Sequence, residues 1–83
     1  MDRTEVRGKV KEIVSEVANI DVDKINDDAS FSEDLDLDSL SLLEIGVDLD
    51  YAYKLGVPEE DLAQLKTVED AVELVLSRIA AEQ

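Results

Sequence analysis

Ser39 lies behind three aspartates at every second position, Asp34, Asp36 and Asp38, and ahead of an apolar helical pattern that begins with Leu40 and Leu42. Residues of these types at this spacing suit three chemistries: calcium binding, nucleophilic catalysis, and covalent attachment at the serine. A calcium loop of the helix–loop–helix kind takes oxygen ligands at positions 1, 3 and 5, glycine at 6 and a bidentate glutamate at 12. Counted from Asp34, the first three positions hold, but Ser39 stands at 6 and Ile45 at 12. Glu44 comes one residue early and points about 100° away on a helix. No specific metal site is expected.

A serine nucleophile needs a base to take its proton. The chain has no histidine and no cysteine. The nearest basic residues in sequence, Lys24 and Lys54, stand fifteen positions away on either side. A chain of this size also offers little room for a water-excluding pocket. No catalytic residue is expected, and the chain is read as a non-enzyme. Ser39 remains as an attachment point or as a plain helix-start residue.

The elements around it follow from periodicity. Val6, Val10, Ile13, Val14 and Val17 recur at helical spacing and predict an amphipathic helix over about residues 3–17. A long loop rich in Asp, Asn and Ser follows, with Ile20, Ile25, Phe31 and Leu35 placed to pin it to the core, through a short helical turn. Asp38 is a good N-cap for a second helix that starts at Ser39, holds Lys54 in its last turn and stops at Gly56. Pro58 opens a short third helix over residues 58–65. Thr67, with Asp70 three residues on, caps a last helix whose buried stripe is Val68, Ala71, Val72, Val75 and Ile79. The fold class expected is all-α: a four-helix bundle of three main helices and one short one, with a long first loop, in a single domain over residues 1–83.

On a helical wheel with Ser39 at 0°, Leu42, Ile45, Gly46, Leu49, Ala52 and Tyr53 fall together on one inward face. Leu40, Val47 and Tyr51 fall roughly opposite, flanked by Glu44, Asp48 and Asp50. Such a stripe either docks a partner protein or packs beneath the long first loop.

Composition narrows the partners. The chain is 45% hydrophobic and 36% charged, with a net charge of −14, which suits a folded domain rather than a disordered one. The acid is concentrated: residues 25–53 hold nine acids and no base. A nucleic-acid partner is disfavoured, since phosphates are bound by clustered Lys and Arg; a basic protein surface is favoured. Disulfides and thiolate sites are ruled out. With neither a secretory pattern in the first ten residues nor an apolar stretch near the roughly 20 residues of a membrane span, a cytoplasmic location and no membrane partner are expected.

The stretch from Asp34 to Val75 resembles an acyl carrier protein. The family's Asp-Ser-Leu attachment motif matches Asp38, Ser39 and Leu40, with Glu44 five residues after the serine. The approach through Phe31 and Asp34-Leu35 and the segment from Val57 to Val72 also match, so the likeness runs over almost the whole chain. It comes nearest to free-standing carriers of actinobacterial fatty-acid and aromatic polyketide systems. The resemblance implies that Ser39 takes 4′-phosphopantetheine from coenzyme A through a separate phosphopantetheinyl transferase. The arm's thiol then carries acyl or polyketide groups as thioesters. It implies client synthases, acyltransferases and reductases with basic docking patches, and a monomeric carrier. The family's recognition positions fall on Leu40, Glu44, Val47 and Asp50, with Asp48 and Tyr51 beside them.

Three positions depart from the family pattern. Asp36 stands where glycine is common, Tyr51 where an acid is more usual, and Gly46 where a larger apolar residue is usual. The last predicts a widened acyl cavity beside Leu42, Leu49, Leu62 and Leu65. Two other identities fit less of the chain: a peptidyl or aminoacyl carrier, which commonly has glycine-rich residues before the serine, and a non-carrier acidic helical interaction module.

Overall fold

The valines and isoleucine of the first periodic segment fold onto one face of a helix, α1, over Arg3–Ala18. Asp2 caps its start by accepting the Thr4 N–H at 3.0 Å, and Asn19 ends it in the left-handed conformation. The computed structural model describes residues 2–54, 56, 59–62 and 64–82. The other helices are α2 over Ser39–Tyr53, α3 over Glu59–Leu62 and α4 over Val68–Glu82, and a 3₁₀ turn spans Val22–Lys24. Among the described residues there is no strand, and an isolated antiparallel bridge joins Ser30 to Thr67. The expected all-α architecture is thus the one observed.

α1 packs on both α4 and α2, and α3 lies against α2. The core between them holds Val6, Val10, Ile13 and Val14 of α1, Ile45 and Leu49 of α2, and Val68, Val72 and Val75 of α4. Val17 and Ile79, expected in these stripes, are partly buried at their edge. At about 1.5 to 3 kcal/mol for each large apolar side chain removed from water, this core is the main favourable term in folding.

The twenty residues between α1 and α2 are held rather than loose. Phe31 is wholly buried, with Ile25, Ala29 and Leu35 beside it, and Ile20 is partly buried. The Phe31 N–H donates to the Lys66 carbonyl at 2.8 Å, and the Val68 N–H donates to the Ala29 carbonyl at 3.0 Å. Together these bonds stitch the loop to the start of α4. Asp34 then folds back, its carboxylate accepting the Ser30 N–H at 2.7 Å. Thr67 and Asp70 form the expected reciprocal cap. The Asp70 N–H donates to Thr67 Oγ1 at 3.1 Å, and the Thr67 N–H donates to Asp70 Oδ2 at 3.2 Å.

Four of the eight cations pair with acids of other elements. Arg3, Arg7 and Lys11 follow one another at four-residue steps along α1, so they share a face. Arg3 pairs with Glu69 and Glu73, Arg7 with Glu69, and Lys11 with Asp27. Arg78 pairs with Asp61 at 3.1 Å. Exposed pairs of this kind add little each; here they join α1 to α4 and to the loop.

Several helix-level expectations are corrected. α2 ends at Tyr53 and is capped by Lys54, left-handed with φ 55°, before Gly56, which is left-handed too with φ 64°. Asp50 holds both residues: its carbonyl accepts the Lys54 N–H at 2.6 Å and its carboxylate accepts the Gly56 N–H. Ala52, placed inward on the wheel, is exposed one residue before the helix end, and Tyr53 is half-buried. The third helix is shorter than residues 58–65, and Pro58, its expected opening residue, lies outside the described residues.

Gly46 corrects a further expectation. A Cβ placed there would lie 2.6 Å from both methyl carbons of Leu62. The missing side chain therefore does not widen a cavity; Leu62 fills the space and α3 seats directly on the α2 backbone. Gly46→Ala gains up to about 1 kcal/mol of helix propensity. It also forces Leu62 out of its seat, at about 1 to 3 kcal/mol. The expected outcome is a lower urea midpoint for Gly46→Ala, with a smaller loss when the substitution is made in a Leu62→Ala background. Equal losses in both backgrounds would mean that the contact carries no energy.

Candidate functional site

The site begins with a cap. Asp38 is extended, and its Oδ1 accepts the Ser41 N–H at 2.9 Å while its carbonyl accepts the Leu42 N–H at 3.1 Å. These bonds close the first turn and place Ser39 as the first residue of α2, exposed to solvent. The Asp38 carboxyl is held below the usual carboxylate range, chiefly by the hydrogen bond from the Ser41 backbone and next by the Ser41 hydroxyl. Its charge is thus committed to the helix start. Ser39 offers a free hydroxyl there, where the backbone N–H groups and the helix dipole favour a phosphate.

Asp36, two residues upstream of Asp38, has φ 54°. That left-handed backbone costs an ordinary L-residue about 1 to 2 kcal/mol, glycine nothing, and Asp or Asn less than most. The turn that delivers Ser39 therefore needs a residue of this kind at position 36.

Ala52 and Asp50 apart, the two faces of α2 divide as the wheel predicts. Leu42, Ile45, Gly46 and Leu49 are buried, and Leu62 and Leu65 are buried against them from the α3 side. Leu40, Val47 and Tyr51 are 68%, 56% and 87% exposed, so they do not pack beneath the first loop. Leu40, Leu43, Glu44, Val47 and Asp48 line a shallow groove of about 530 Å³. Leu43 was not singled out in the sequence; at 40° on the wheel it lies between the two stripes and shows a signal for neither. Asp50 differs from its expected place. It is half-buried and its carboxylate is turned to the Gly56 N–H, leaving Glu44 and Asp48 as the exposed acids of the groove. Among the described residues no group of three potential ligands could hold a metal ion, and no helix is long and apolar enough to cross a membrane.

A sequence model of the phosphopantetheine attachment site matches residues 8–75, which include the whole approach to Ser39, α2 and most of α4. The chain belongs to the acyl carrier protein family. It is 37% identical to an acyl carrier protein of Rubrobacter xylanophilus over 98% of its own length and all of that protein. Against an acyl carrier protein of Rhodococcus erythropolis it is 46% identical over 82% of its length and 75% of the relative. Against a meromycolate extension acyl carrier protein of Mycobacterium tuberculosis it is 44% identical over 82% of its length and 59% of the relative. As an acyl carrier protein, the chain uses 4′-phosphopantetheine, is loaded by a phosphopantetheinyl transferase, serves synthases and related enzymes, and is itself no enzyme.

The site fits that group. An exposed hydroxyl opens a helix of fifteen residues with its anionic neighbour already bonded to the first turn. The cap also makes the site acid-sensitive. Its contribution is fully present above the unfolded-state pKa of about 3.9, and it is lost as the pH falls through the lower folded-state value. Asp38→Asn caps without titrating. Its stability, followed by thermal unfolding, is expected to fall less steeply than that of the wild type below about pH 5; matching slopes would mean that other carboxylates set the acid limb. For Asp36, the glycine variant is expected to exceed the alanine variant by about 1 kcal/mol in urea denaturation, a comparison in which both lose the charge. Equal stabilities would show that the turn relaxes freely.

Proposed function

We propose that Ser39 Oγ is the attachment point of the 4′-phosphopantetheine, and that residues 1–83 act as one monomeric carrier unit in the cytoplasm. The observation that carries this is the exposed Ser39 hydroxyl at the capped start of α2, within the matched region. In loading, the new bond joins Ser39 Oγ to the phosphorus of coenzyme A that bears the pantetheine. The pyrophosphate bond breaks, adenosine 3′,5′-bisphosphate leaves, and the Ser39 proton passes to a base of the transferase. This chain contributes position, not acid–base chemistry: Asp38 is bonded to Ser41 and no histidine is present. When attached, the arm supplies the thiol that carries acyl groups as thioesters.

The similarity to a meromycolate extension carrier favours fatty-acyl over polyketide intermediates as cargo. Clients, including acyltransferases and reductases, are proposed to meet the stripe of Leu40, Glu44, Val47, Asp48 and Tyr51 with basic patches. Leu42, Leu49, Leu62 and Leu65 are the proposed surroundings of a sheltered acyl chain. Because Leu62 fills the space at Gly46, the chain gains entry there by displacing Leu62.

Intact mass is read before and after incubation with coenzyme A and a promiscuous phosphopantetheinyl transferase, for the wild type and Ser39→Ala. A gain of one phosphopantetheine on the wild type and none on the variant is expected. A gain on Ser39→Ala would move the attachment elsewhere, and no gain on an arm-free wild type would refute loading.

A further inference from the structure

The exposed face of α2 has two unlike ends. Near Ser39 the groove pairs apolar Leu40 and Leu43 with the carboxylates of Glu44 and Asp48. Twelve residues on, about 18 Å along the helix, Tyr51 is, among the described residues, the most exposed of the large apolar side chains, at 87%. The acid beside it, Asp50, is spent on the Gly56 N–H. A cationic client therefore finds an aromatic face at this end where a carboxylate is withdrawn.

We infer that Tyr51 is a specificity-determining residue for client docking, its ring stacking face-on with an arginine guanidinium of the client. This rests on the proposed carrier reading. The charge supports a cation: residues 25–53 hold nine acids and no base, against one exposed lysine, Lys54, at the end of the helix, so the net field over this face draws in positive groups. The ring supports arginine over lysine. A guanidinium is planar, weakly hydrated and stacks on aromatic faces, whereas an ammonium keeps its water. Asp48, three residues before Tyr51 and on the same side of the helix, is exposed and within reach of the guanidinium edge. An acid at position 51 would attract lysine and arginine both, by charge, and would favour arginine only where the carboxylate is met bidentately. The aromatic ring discriminates between them, so clients with arginine opposite Tyr51 are preferred to those with lysine.

The test is acyl transfer from the loaded carrier to a purified β-ketoacyl synthase, with Tyr51 replaced by Phe, Leu and Glu, and by phenylalanines of increasing ring fluorination. Loading by the transferase and thermal unfolding are checked for each variant. Tyr51→Phe is expected to keep its KM. Tyr51→Leu is expected to raise KM by about two- to fivefold with kcat unchanged, and fluorination is expected to raise KM stepwise, because it drains the ring face at nearly constant shape. A KM unchanged by fluorination, or equal for Leu and Phe, would overturn the inference in favour of plain apolar contact. A Glu variant as good as the wild type would overturn it in favour of a simple ion pair. Failure of the wild type to load would instead remove the carrier reading, and this inference with it.

Discussion

The burial of Phe31 is the constraint on which the active end of the molecule depends. A twenty-residue connection has no reason to hold one shape, since ordering each residue costs about 1 to 2 kcal/mol of conformational entropy. Phe31 offsets part of that cost, because deleting a buried aromatic side chain typically costs about 3 to 5 kcal/mol. Its N–H also bonds the Lys66 carbonyl, and its carbonyl accepts the Leu37 N–H at 2.8 Å. Through these two bonds the end of the loop is fixed at both α4 and the approach to α2. The left-handed Asp36, the capping Asp38 and the exposed Ser39 are then placed in succession, each relying on the one before.

Charge is sorted across the molecule with equal economy. Arg3, Arg7 and Lys11 on α1 are engaged by Glu69, Glu73 and Asp27, and Arg78 by Asp61. These four cations, of eight in the chain, thus serve the joints between elements, and α2 is left with acids alone up to its cap. None of these pairs uses Glu44 or Asp48, so a basic partner at the groove competes with none of them.

What the sequence made legible is what local chemistry decides. Asp38 as cap, Ser39 as first helical residue and the Thr67–Asp70 box each depend on groups within three or four positions, and each is found as expected. That Leu40, Val47 and Tyr51 share one row followed from the helical period, whereas their exposure, left open between docking and packing beneath the first loop, is decided by the structure. The departures depend on groups that meet only in three dimensions. Asp50 is taken out of the exposed acid set by a backbone N–H six residues on, across a helix end. Gly46 opens no cavity because a leucine of another helix occupies it. Lys54 adopts a left-handed cap that its side chain does not advertise, as Asp36 does in the loop.

The groove on α2 is shallow, framed by five residues, and has little apolar surface to offer. Long-range attraction raises how often partners meet, while buried apolar area largely decides how long they stay. A surface strong in the first and poor in the second favours short residence times. Such a molecule can visit many stations in turn without blocking any of them, and ionic strength becomes a throttle on its traffic.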